Sequence, residues 1–485
     1  MKLNELILNL NVKKIIGTEL DLEVTDIVYD SRKAKKDVLF VALVGSRTDG
    51  HKYIKDVEKS GVRAVVLSDV SYAVNHDVTY ILVEDTRVAL SFLSNRFFGE
   101  PSNEMNVIGI TGTKGKTTVA NYIKYVMDKS GRDCGIIGTN GIFYLDKTIE
   151  TSNTTPESYE IHLAIRKMLD AGVKNIVMEV SSLGLMAHRV SDVDFDIGIF
   201  TNLSPDHIGE NEHPDFENYM MSKAVLFSLA KASIINIDDE YAGVMMDFAK
   251  RASRDYLTYG IKNPADFRAK NISYPDSLDD MRTYFDIDFQ SYTVNSFGEF
   301  GVYNALCTII CLKKLGLSYD EIRTGLSNAH VKGRLQILDS DIGVKTVIDY
   351  AHNEVSMKNL LSNIKRLKPK RIITVFGSIG TRAKHRRKEL AEVSCKYSDV
   401  IIVTSDNPDT EDPQSIIDDV LSFVPKNFNN VFSFVDRQDA IKKAFEIAKP
   451  GDVVVIAGKG HEEYQLINGE KIYFSDYETA VKYLS

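Results

Sequence analysis

The sequence predicts an α/β protein with three domains, on the evidence of its length and of its apolar pattern. The chain has 485 residues, and one domain commonly takes about 150 residues. Short apolar runs alternate along it with amphipathic stretches, which is the pattern of strands and helices in layered α/β folds. From the breaks in this pattern we expect domains at residues 1–103, 104–332 and 333–485.

The first two domains contain short apolar runs bounded by polar residues, as buried strands do. The polar stretch Gly99–Met105 separates the two domains. The predicted strands in this part of the chain are Asp37–Leu43, Val62–Leu67, Tyr80–Val83, Asn106–Thr111, Asn175–Val180, Asp196–Asn202 and Ala232–Ile237.

The last domain alternates strands and helices most regularly, which predicts a Rossmann-like sheet of parallel strands joined by crossover helices. The predicted strands are Arg371–Phe376, Asp399–Thr404, Val431–Val435 and Asp452–Ala457. The predicted helices are His385–Tyr397, Pro413–Val424 and Gln438–Lys449.

Polar and glycine-rich segments follow the strands of the second and third domains. Ligands of doubly wound sheets bind beyond the carboxyl ends of the strands. We therefore expect a site between these two domains. The segments are Gly112–Thr117, Glu179–Ser182, Asn202–His207, Gly377–Arg382, Ser405–Asp409 and Gly458–Glu462.

Composition excludes several classes of protein. The chain has 59 Lys and Arg against 68 Asp and Glu, and its net charge of −9 argues against a nucleic-acid partner but leaves room for a local anion site. Four scattered cysteines predict no disulfide framework. No apolar run approaches the ~20 residues that span a bilayer, and polar residues interrupt the N-terminus before a signal peptide could form. We expect a soluble, cytoplasmic monomer.

The segment Val107–Lys129 has the order of a phosphate-binding loop, namely strand, glycine-containing turn and helix. Lys116 would reach the β- and γ-phosphates, and Thr117 would hold Mg²⁺. Gly109 lies one residue from the usual glycine position, where Ile110 stands, so a glycine-rich turn with a surface lysine is the alternative. The second domain is thus expected to hold a P-loop ATPase-like parallel sheet. The predicted ATP-binding residues of the loop are Gly112, Thr113, Lys114, Gly115, Lys116, Thr117 and Thr118.

The segment Thr111–Thr117, with its shifted first glycine, resembles the loop of the Mur ligase family, ATP-dependent amino-acid ligases of peptidoglycan synthesis. Further matches extend over most of the chain and resemble the branch that adds a diamino acid to UDP-N-acetylmuramoyl-L-alanyl-D-glutamate. The resemblance implies that ATP phosphorylates the D-glutamate side-chain carboxylate and that an amine attacks the acyl phosphate. The matching motifs are Asp30–Arg32, Asp49–His51, Thr154–Pro156, Glu179–Ser182, His188–Arg189, Asp206–His207, Tyr219 with Lys223, Gly333–Arg334, Asp349–His352 and Gly458–Glu462.

The resemblance implies catalytic roles for Lys116, Lys223 and His207. Glu179 and His207 would bind a second Mg²⁺, together with a carbamylated Lys223 that supplies the oxygen ligands Mg²⁺ prefers. From the residues alone, Glu179 could be a helix cap, His207 a loop histidine and Lys223 a solvated cation.

The resemblance also implies the substrate contacts. Asn304, Arg334 and Asp349 match contacts to the adenine, phosphate and ribose of ATP. Leu183 departs from the family pattern, because relatives often carry His there. The residues that match contacts to the UDP-muramoyl dipeptide are Ser31, Thr154, Thr155, Ser181 and Arg189; without the family, they are turn hydroxyls and a surface ion pair.

The residue at position 409 favours L-lysine as the acceptor amino acid. Family members that add meso-diaminopimelate carry an arginine here, whose bidentate contact holds the distal carboxylate. Asp409 would repel that carboxylate and attract a plain ammonium group, a logic that L-ornithine also satisfies. The resemblance places the acceptor at Arg382, Asn407, Asp409, Gly458 and Glu462.

Three alternatives stay open at this point. One is the same ligase with meso-diaminopimelate or L-ornithine as the acceptor. Another is a folylpolyglutamate-synthetase-like ligase, which shares the ATP chemistry but not the N-terminal block. The third is a non-catalytic nucleotide switch, which would bind ATP without substrate-dependent phosphate release.

Overall fold

The structure is a computed structural model that describes residues 1–45, 48–209, 212–275, 277, 280–338, 340–380 and 384–484. The chain forms two compact units. The first comprises Met1–Ala269 and Tyr303–Gly325, and the second comprises Lys270–Val302 and Leu326–Ser485.

The N-terminal part of the first unit is built around a mainly parallel sheet. Its strands lie in the order β1-β5-β4-β3-β2, and β1 is antiparallel to β5. Apolar side chains cover both faces of this sheet. The elements are α1 (Leu3–Leu6), β1 (Val12–Ile16), β2 (Asp26–Val28), β3 (Val38–Val41), α2 (Ile54–Lys59), β4 (Ala64–Leu67), β5 (Thr79–Val83) and α3 (Thr86–Phe97), with 3-10 helices at Ser31–Lys33, Gly50–Tyr53, Val70–Tyr72 and Pro101–Glu104.

The rest of the first unit surrounds a second sheet. Here the strands lie in the order β14-β13-β12-β11-β6-β10-β7-β8-β9, parallel from β14 to β7 and antiparallel through β8 and β9. The elements are β6 (Asn106–Thr111), α4 (Lys116–Lys129), β7 (Cys134–Gly138), β8 (Gly141–Tyr144), β9 (Lys147–Ile149), α5 (Ser158–Asp170), β10 (Asn175–Glu179), α6 (Ser182–Met186), β11 (Ile197–Phe200), α7 (Phe216–Leu229), β12 (Ala232–Asn236), α8 (Ala242–Arg251), β13 (Asp255–Gly260) and β14 (Phe267–Ser273).

The second unit contains a six-stranded sheet in the order β17-β18-β22-β19-β20-β21, in which only β17 is antiparallel to its neighbour. Successive residues of β19 alternate between two apolar clusters, so both faces are covered. Most of α9 (Glu299–Lys314) and α10 (Tyr319–Asn328) belongs to the first unit, which includes Tyr303–Gly325. The other elements from residue 283 onward are β15 (Thr283–Ile287), β16 (Gln290–Val294), β17 (Gln336–Leu338), β18 (Lys345–Asp349), α11 (Glu354–Arg366), β19 (Ile372–Ser378), α12 (His385–Tyr397), β20 (Val400–Ser405), α13 (Pro413–Ser422), β21 (Val431–Phe434), α14 (Arg437–Ile447), β22 (Val453–Ala457), β23 (Tyr464–Ile467), β24 (Glu470–Tyr473) and α15 (Asp476–Leu484).

The predicted α/β class is confirmed, and every predicted strand and helix is found with ends within two residues of the expectation. Sequence patterns gave no prediction for β1, β2, β7, β13, β14, β17, β18 and the hairpins β8–β9, β15–β16 and β23–β24. Most of these strands are short or contain polar residues or glycines, so their apolar runs are weak. The domain boundaries near residues 103 and 333 stay a prediction. Within the described ranges, every helix is too short or too polar to cross a membrane.

Candidate active site

The candidate site of the first unit lies at the carboxyl ends of three neighbouring strands in the middle of its second sheet. β10 and β11 flank β6, and all three strands are parallel. The register pairs Ile110 with Glu179 and Thr111 with Phe200. The loops that follow these three strands therefore start side by side, as the strand-end pattern predicted.

The phosphate loop is held by the loop that follows β11. The Lys114 amide N–H donates to Asn202 Oδ1 at 2.9 Å, and Asn202 Nδ2 donates to the Lys114 carbonyl at 3.0 Å. Thr201 Oγ1 donates to the same carbonyl at 2.7 Å, and the Thr113 N–H donates to the Asn202 carbonyl at 2.8 Å. Sequence reasoning placed Asn202 at a strand end but gave it no role, and it missed Thr201.

Asn304 lies against the same loop. Gly115 has φ +91°, a value that favours glycine, and a Cβ there would come within 2.6 Å of Asn304 Oδ1. Helix α4 begins at the next residue, so Thr117 and Thr118 occupy its first turn. The structure thus brings the predicted adenine contact to the predicted phosphate loop, at a helix N-terminus that favours anions.

Two lysines donate to one carbonyl of the phosphate loop. Lys116 Nζ lies 2.7 Å from the Gly112 carbonyl oxygen, and Lys223 Nζ lies 3.1 Å from it. Lys223 is only 2% exposed. Burial, with the nearby charge of Lys116, lowers the pKa of Lys223 well below its ordinary value, which favours the neutral amine.

Tyr219 holds Lys223 and the phosphate loop together. Its hydroxyl is 3.0 Å from Thr113 Oγ1, and its ring centroid is 4.6 Å from Lys223 Nζ. The two residues are one turn apart on α7, whose N-terminus is capped by the Asp215 side chain. The sequence motif included Tyr219 but did not reveal this contact.

Glu179 is the buried carboxylate of the site, with 1% of its surface exposed. Its Oε2 accepts hydrogen bonds from Thr117 Oγ1 at 2.8 Å and Thr139 Oγ1 at 3.2 Å, and its Oε1 accepts from the Thr139 N–H at 3.1 Å. The carboxylate and hydroxyl oxygens of Glu179 and Thr117 are hard donors, and this donor set fits Mg²⁺.

His207 occupies an exposed position in the loop after β11. Its Nδ1 is 2.9 Å from Glu212 Oε1, and its backbone has φ +55°. Within the described part of the chain, His207 has no recorded contact with Glu179, and no cluster of three or more His, Cys, Asp or Glu is placed to hold a metal. The role of His207 in a metal site therefore stays a prediction.

The residues predicted to bind the muramoyl dipeptide lie beside Glu179. Thr155 Oγ1 donates to the Glu179 carbonyl at 2.9 Å and accepts from the Ser181 N–H at 2.9 Å. Arg189 donates to the Thr155 carbonyl at 2.9 Å. Thr154 Oγ1 is 3.1 Å from Thr139 Oγ1. Four of the five predicted dipeptide contacts are thus brought into one cluster.

The N-terminal block contributes a cation to this cluster. Arg189 forms an ion pair with Glu157 at 2.7 Å, and Arg87 of α3 lies 3.5 Å from the same carboxylate. Arg87 and Arg189 thus bring two cations to Glu157, and such cations would suit an anionic ligand. Ser31, the fifth predicted contact to the UDP-muramoyl dipeptide, begins a 3-10 helix capped by Asp30.

In the second unit, Arg334 and Asp349, which match family contacts to the phosphate and ribose of ATP, lie next to each other. The Arg334 guanidinium is 4.6 Å from the centroid of the Tyr350 ring. Asp349 accepts hydrogen bonds from the Leu335 N–H at 2.7 Å and the Ala351 N–H at 2.8 Å, so its carboxylate is held at the end of β18.

Three of the predicted acceptor residues, Asn407, Gly458 and Glu462, lie beside a buried lysine. Lys459 is fully buried, and its Nζ lies 3.0 Å from both Asn407 Oδ1 and Glu462 Oε2. Asn407 Nδ2 also donates to Glu462 Oε2 at 3.0 Å. Gly458 precedes this lysine with φ +115°. Sequence reasoning quoted Lys459 within a motif but gave it no role.

Asp409 is attached to the hairpin β23–β24. Its N–H donates to the Leu466 carbonyl at 2.9 Å, and its Oδ1 accepts from the Gly469 N–H at 3.0 Å. Its φ of +53° lies in the left-handed region, which Asp and Asn tolerate better than most residues. Arg382, the predicted contact to the acceptor α-carboxylate, lies outside the described residues.

Comparison with known proteins finds one family over most of the chain. Residues 23–98 match the Mur ligase family catalytic domain, residues 110–312 the Mur ligase middle domain, and residues 333–460 the Mur ligase glutamate ligase domain. A UDP-N-acetylmuramoyl-L-alanyl-D-glutamate–2,6-diaminopimelate ligase of Clostridium perfringens is 39% identical over 99% of this chain and 98% of its own length.

Two solved structures are also similar. A structure of a UDP-N-acetylmuramoyl-L-alanyl-D-glutamate–2,6-diaminopimelate ligase has a TM-score of 0.73 at 28% identity, covering 100% of this chain and 98% of that one. A folylpolyglutamate synthase of Mycobacterium tuberculosis, solved with ADP and AMPPCP, has a TM-score of 0.63 at 19% identity and covers 77% of this chain and 92% of that one. The second similarity shows a shared fold.

Proposed function

This chain belongs to the Mur ligase family of ATP-dependent, amide-bond-forming ligases, and from that premise we propose that it joins a diamino acid to the D-glutamate of UDP-N-acetylmuramoyl-L-alanyl-D-glutamate. The reaction is a step of peptidoglycan biosynthesis. The γ-phosphoryl group of ATP passes to the D-glutamate side-chain carboxylate. The acceptor amine then attacks the acyl phosphate, phosphate leaves, and the nitrogen releases a proton as the amide forms.

One observation carries this proposal: the predicted nucleotide and dipeptide residues meet at Glu179. Its side chain accepts from Thr117 of the phosphate loop, and its backbone carbonyl accepts from Thr155 of the dipeptide cluster. A phosphoryl transfer between ATP and a carboxylate needs both substrates within a few ångströms. The arrangement supports a ligase over a nucleotide switch, which has no need of a second substrate cluster at the phosphate loop.

The charges of the site suit this reaction. Lys116 would lie against the phosphates of ATP, and Arg189 would face a carboxylate of the dipeptide, so that cations offset the repulsion between two anionic substrates. Mg²⁺, the proposed cofactor, would be held by Thr117 and Glu179. When bound, it would neutralise charge on the phosphates.

We also assign Lys223 the carbamate that the family resemblance implies. The neutral amine would attack CO₂, form an N–C bond and release one proton, which leaves an anionic carboxylate on the side chain. Burial beside the Gly112 carbonyl supports this proposal, because it disfavours a protonated Lys223. Removal of CO₂ and bicarbonate from the buffer should lower turnover, and bicarbonate should restore it. Equal turnover in both buffers would contradict the carbamate.

For the acceptor we propose L-lysine. Asp409 supports this choice. One oxygen of its carboxylate accepts a hydrogen bond from the Gly469 N–H, and the negative charge of the carboxylate would repel a distal carboxylate. The partly exposed Glu462 and the neighbouring Asn407 add oxygen atoms that could accept from an acceptor ammonium group.

A second candidate acceptor is meso-diaminopimelate. The similar ligase of Clostridium perfringens and the similar solved structure both have 2,6-diaminopimelate in their names. The two candidates differ only at the distal carbon, which bears a carboxylate in diaminopimelate. Direct measurement of acceptor use therefore separates them.

The decisive experiment combines the purified chain, ATP, Mg²⁺ and UDP-N-acetylmuramoyl-L-alanyl-D-glutamate with L-lysine, L-ornithine or meso-diaminopimelate in separate reactions. Phosphate release is measured, and the product mass identifies the amino acid that was added. We expect the highest kcat/KM with L-lysine. Phosphate release only with meso-diaminopimelate would assign the second candidate. If none of the three acceptors supports phosphate release, the ligase proposal is refuted.

The remaining partners follow from this reaction. We propose that the enzyme works in the cytoplasm as a monomer on small-molecule substrates, without a nucleic-acid partner. Light scattering of the purified chain at 54.4 kDa per copy tests the monomer.

A further inference from the structure

Thr139 occupies the turn after β7 and contacts residues of both substrate clusters. Its hydroxyl lies 3.2 Å from Glu179 Oε2 and 3.1 Å from Thr154 Oγ1. Its N–H donates to Glu179 Oε1 at 3.1 Å. The residue itself is exposed, whereas Glu179 is buried, so Thr139 lies on the open side of the carboxylate. Thr139 has no role in the reaction proposed above.

The chemistry of these groups fixes the direction of the hydrogen bonds. An ionised carboxylate only accepts, so the single hydroxyl proton of Thr139 points to Glu179. The bond between the two threonines must then use the proton of Thr154. Thr154 therefore presents its oxygen lone pairs to a ligand, whereas Glu179 receives donors from Thr139 at both of its oxygens.

The end of β7 is shaped around this carboxylate. A Cβ at Gly138 would clash with Glu179 Oε1, so a residue with a side chain could not bring the backbone so close. This close approach is what places the Thr139 N–H within hydrogen-bonding distance of Oε1. Glu179 is thereby held from β7 as well as from the phosphate loop.

We propose that Thr139 is a positioning residue that links two groups of side chains. One is the dipeptide cluster of Thr154, Thr155, Ser181 and Arg189, and the other is Glu179 with Thr117 of the phosphate loop. By donating to Glu179 and accepting from Thr154, it holds the carboxylate next to Thr117 and orients Thr154 toward the muramoyl dipeptide. The inference rests on the proposed function, because it takes the dipeptide and the divalent cation as the two ligands.

The test compares Thr139→Val, which keeps the shape but lacks the hydroxyl, with Thr139→Ser, which retains it. Thr148→Val, on the exposed edge strand β9, is the matched control. Calorimetry measures binding of UDP-N-acetylmuramoyl-L-alanyl-D-glutamate without nucleotide. Electron paramagnetic resonance measures binding of Mn²⁺ as a probe of the cation site. Thermal melting reports whether each variant is folded.

We expect Thr139→Val to weaken both affinities about tenfold, the loss equivalent to about 1.4 kcal/mol for a hydrogen bond to a charged group. Thr139→Ser should restore both affinities, and Thr148→Val should match the parent. If Thr139→Val melts early, Thr139→Ala at the same exposed position provides the same comparison.

Unchanged binding of both ligands by folded Thr139→Val would overturn the inference, and so would weakening of only one ligand, because a link must affect both. The parent protein separates this failure from that of the proposed function. If the parent releases no phosphate with any acceptor, the ligase proposal fails; if the parent is active and Thr139→Val binds normally, only the role of Thr139 fails.

Discussion

Lys116 and Lys223 donate to the same carbonyl oxygen but differ in burial. Both donate to the Gly112 carbonyl, but Lys116 is half-buried at the start of α4, whereas Lys223 is buried on α7. The half-buried lysine can turn toward a phosphate. The buried one is held against the Tyr219 ring, so a modification there would stay next to the phosphate loop.

Lys116→Ala should lower kcat by about 100-fold or more, because it removes a cation from the position where phosphate charge develops. Steady-state phosphate release measures the effect. Lys129→Ala, at the exposed far end of the same helix, is the control and should keep the parental rate. The assignment fails if Lys116→Ala turns over as fast as Lys129→Ala.

Asp409→Asn should reduce kcat/KM for L-lysine about tenfold, because it removes the charge while keeping a residue that tolerates positive φ. Asp409→Arg should weaken lysine use further and admit meso-diaminopimelate through its guanidinium. Competition between the two acceptors, with product masses, measures both changes. Asp418→Asn on α13 is the control. Unchanged lysine kinetics in both variants would show that Asp409 lies outside the acceptor pocket.

Helix α5, which the sequence patterns did not predict, carries a buried histidine among apolar side chains. It packs against α3 and carries a buried face that includes Ile161, Ile165 and Met168. His162 lies on that face, fully buried, and neither ring nitrogen has a hydrogen-bond partner among the described residues. Burial lowers the pKa of His162 to about 3, so the ring is neutral in the folded protein.

The pH dependence of unfolding should report this histidine. An ordinary histidine in the unfolded chain has a pKa of about 6.5, so the unfolded state gains a proton first as the pH falls. His162 therefore costs no stability above pH ~6.5 and progressively more below it, about 2 kcal/mol at pH 5.

His162→Leu should remove this contribution. In urea unfolding, the stability lost between pH 7 and pH 5 should be about 2 kcal/mol smaller than in the parent. His76→Leu, at an exposed position, should leave the pH dependence unchanged. Equal pH dependence in His162→Leu and the parent would show that His162 is not buried as a neutral ring.

The whole molecule carries a net charge of −9, yet its proposed substrates are anions. The contradiction disappears when the charges are located, because Lys116, Arg87 and Arg189 lie near the phosphate loop and the dipeptide cluster. Net charge argues against a broad basic surface, and it does not describe a local cluster.

The salt dependence of KM distinguishes attraction to the local cations from repulsion by the overall negative charge. If local cations dominate, raising KCl from about 50 to 300 mM should raise KM for the UDP-muramoyl dipeptide about threefold, because screening weakens attraction to the cluster. The measurement is made at saturating ATP, Mg²⁺ and acceptor. A KM that falls with salt would instead indicate that the overall negative charge governs substrate approach.

The sequence alone determined the α/β class and the strands β6, β10 and β11 at whose ends the candidate site lies, and it predicted the phosphate loop at Gly112–Thr117. These features depend on patterns within short segments, such as the apolar run of β6 followed by glycines and a helix. Such local patterns can be read from the sequence without knowing which segments contact each other. The family motifs added the candidate substrate residues, of which the structure groups Thr154, Thr155, Ser181 and Arg189.

Only the tertiary structure decided which side chains share a hydrogen bond. Thr117 and Thr139 donate to Glu179 from separate segments, Thr154 contacts Thr139, and Lys223 reaches Gly112 across 111 positions of the chain. Burial and hydrogen bonding are properties of such distant contacts, because a side chain loses water only when other segments cover it. For that reason the sequence could name Lys223 as a candidate, whereas its burial, the lowered pKa that burial causes and the proposed link through Thr139 required the fold.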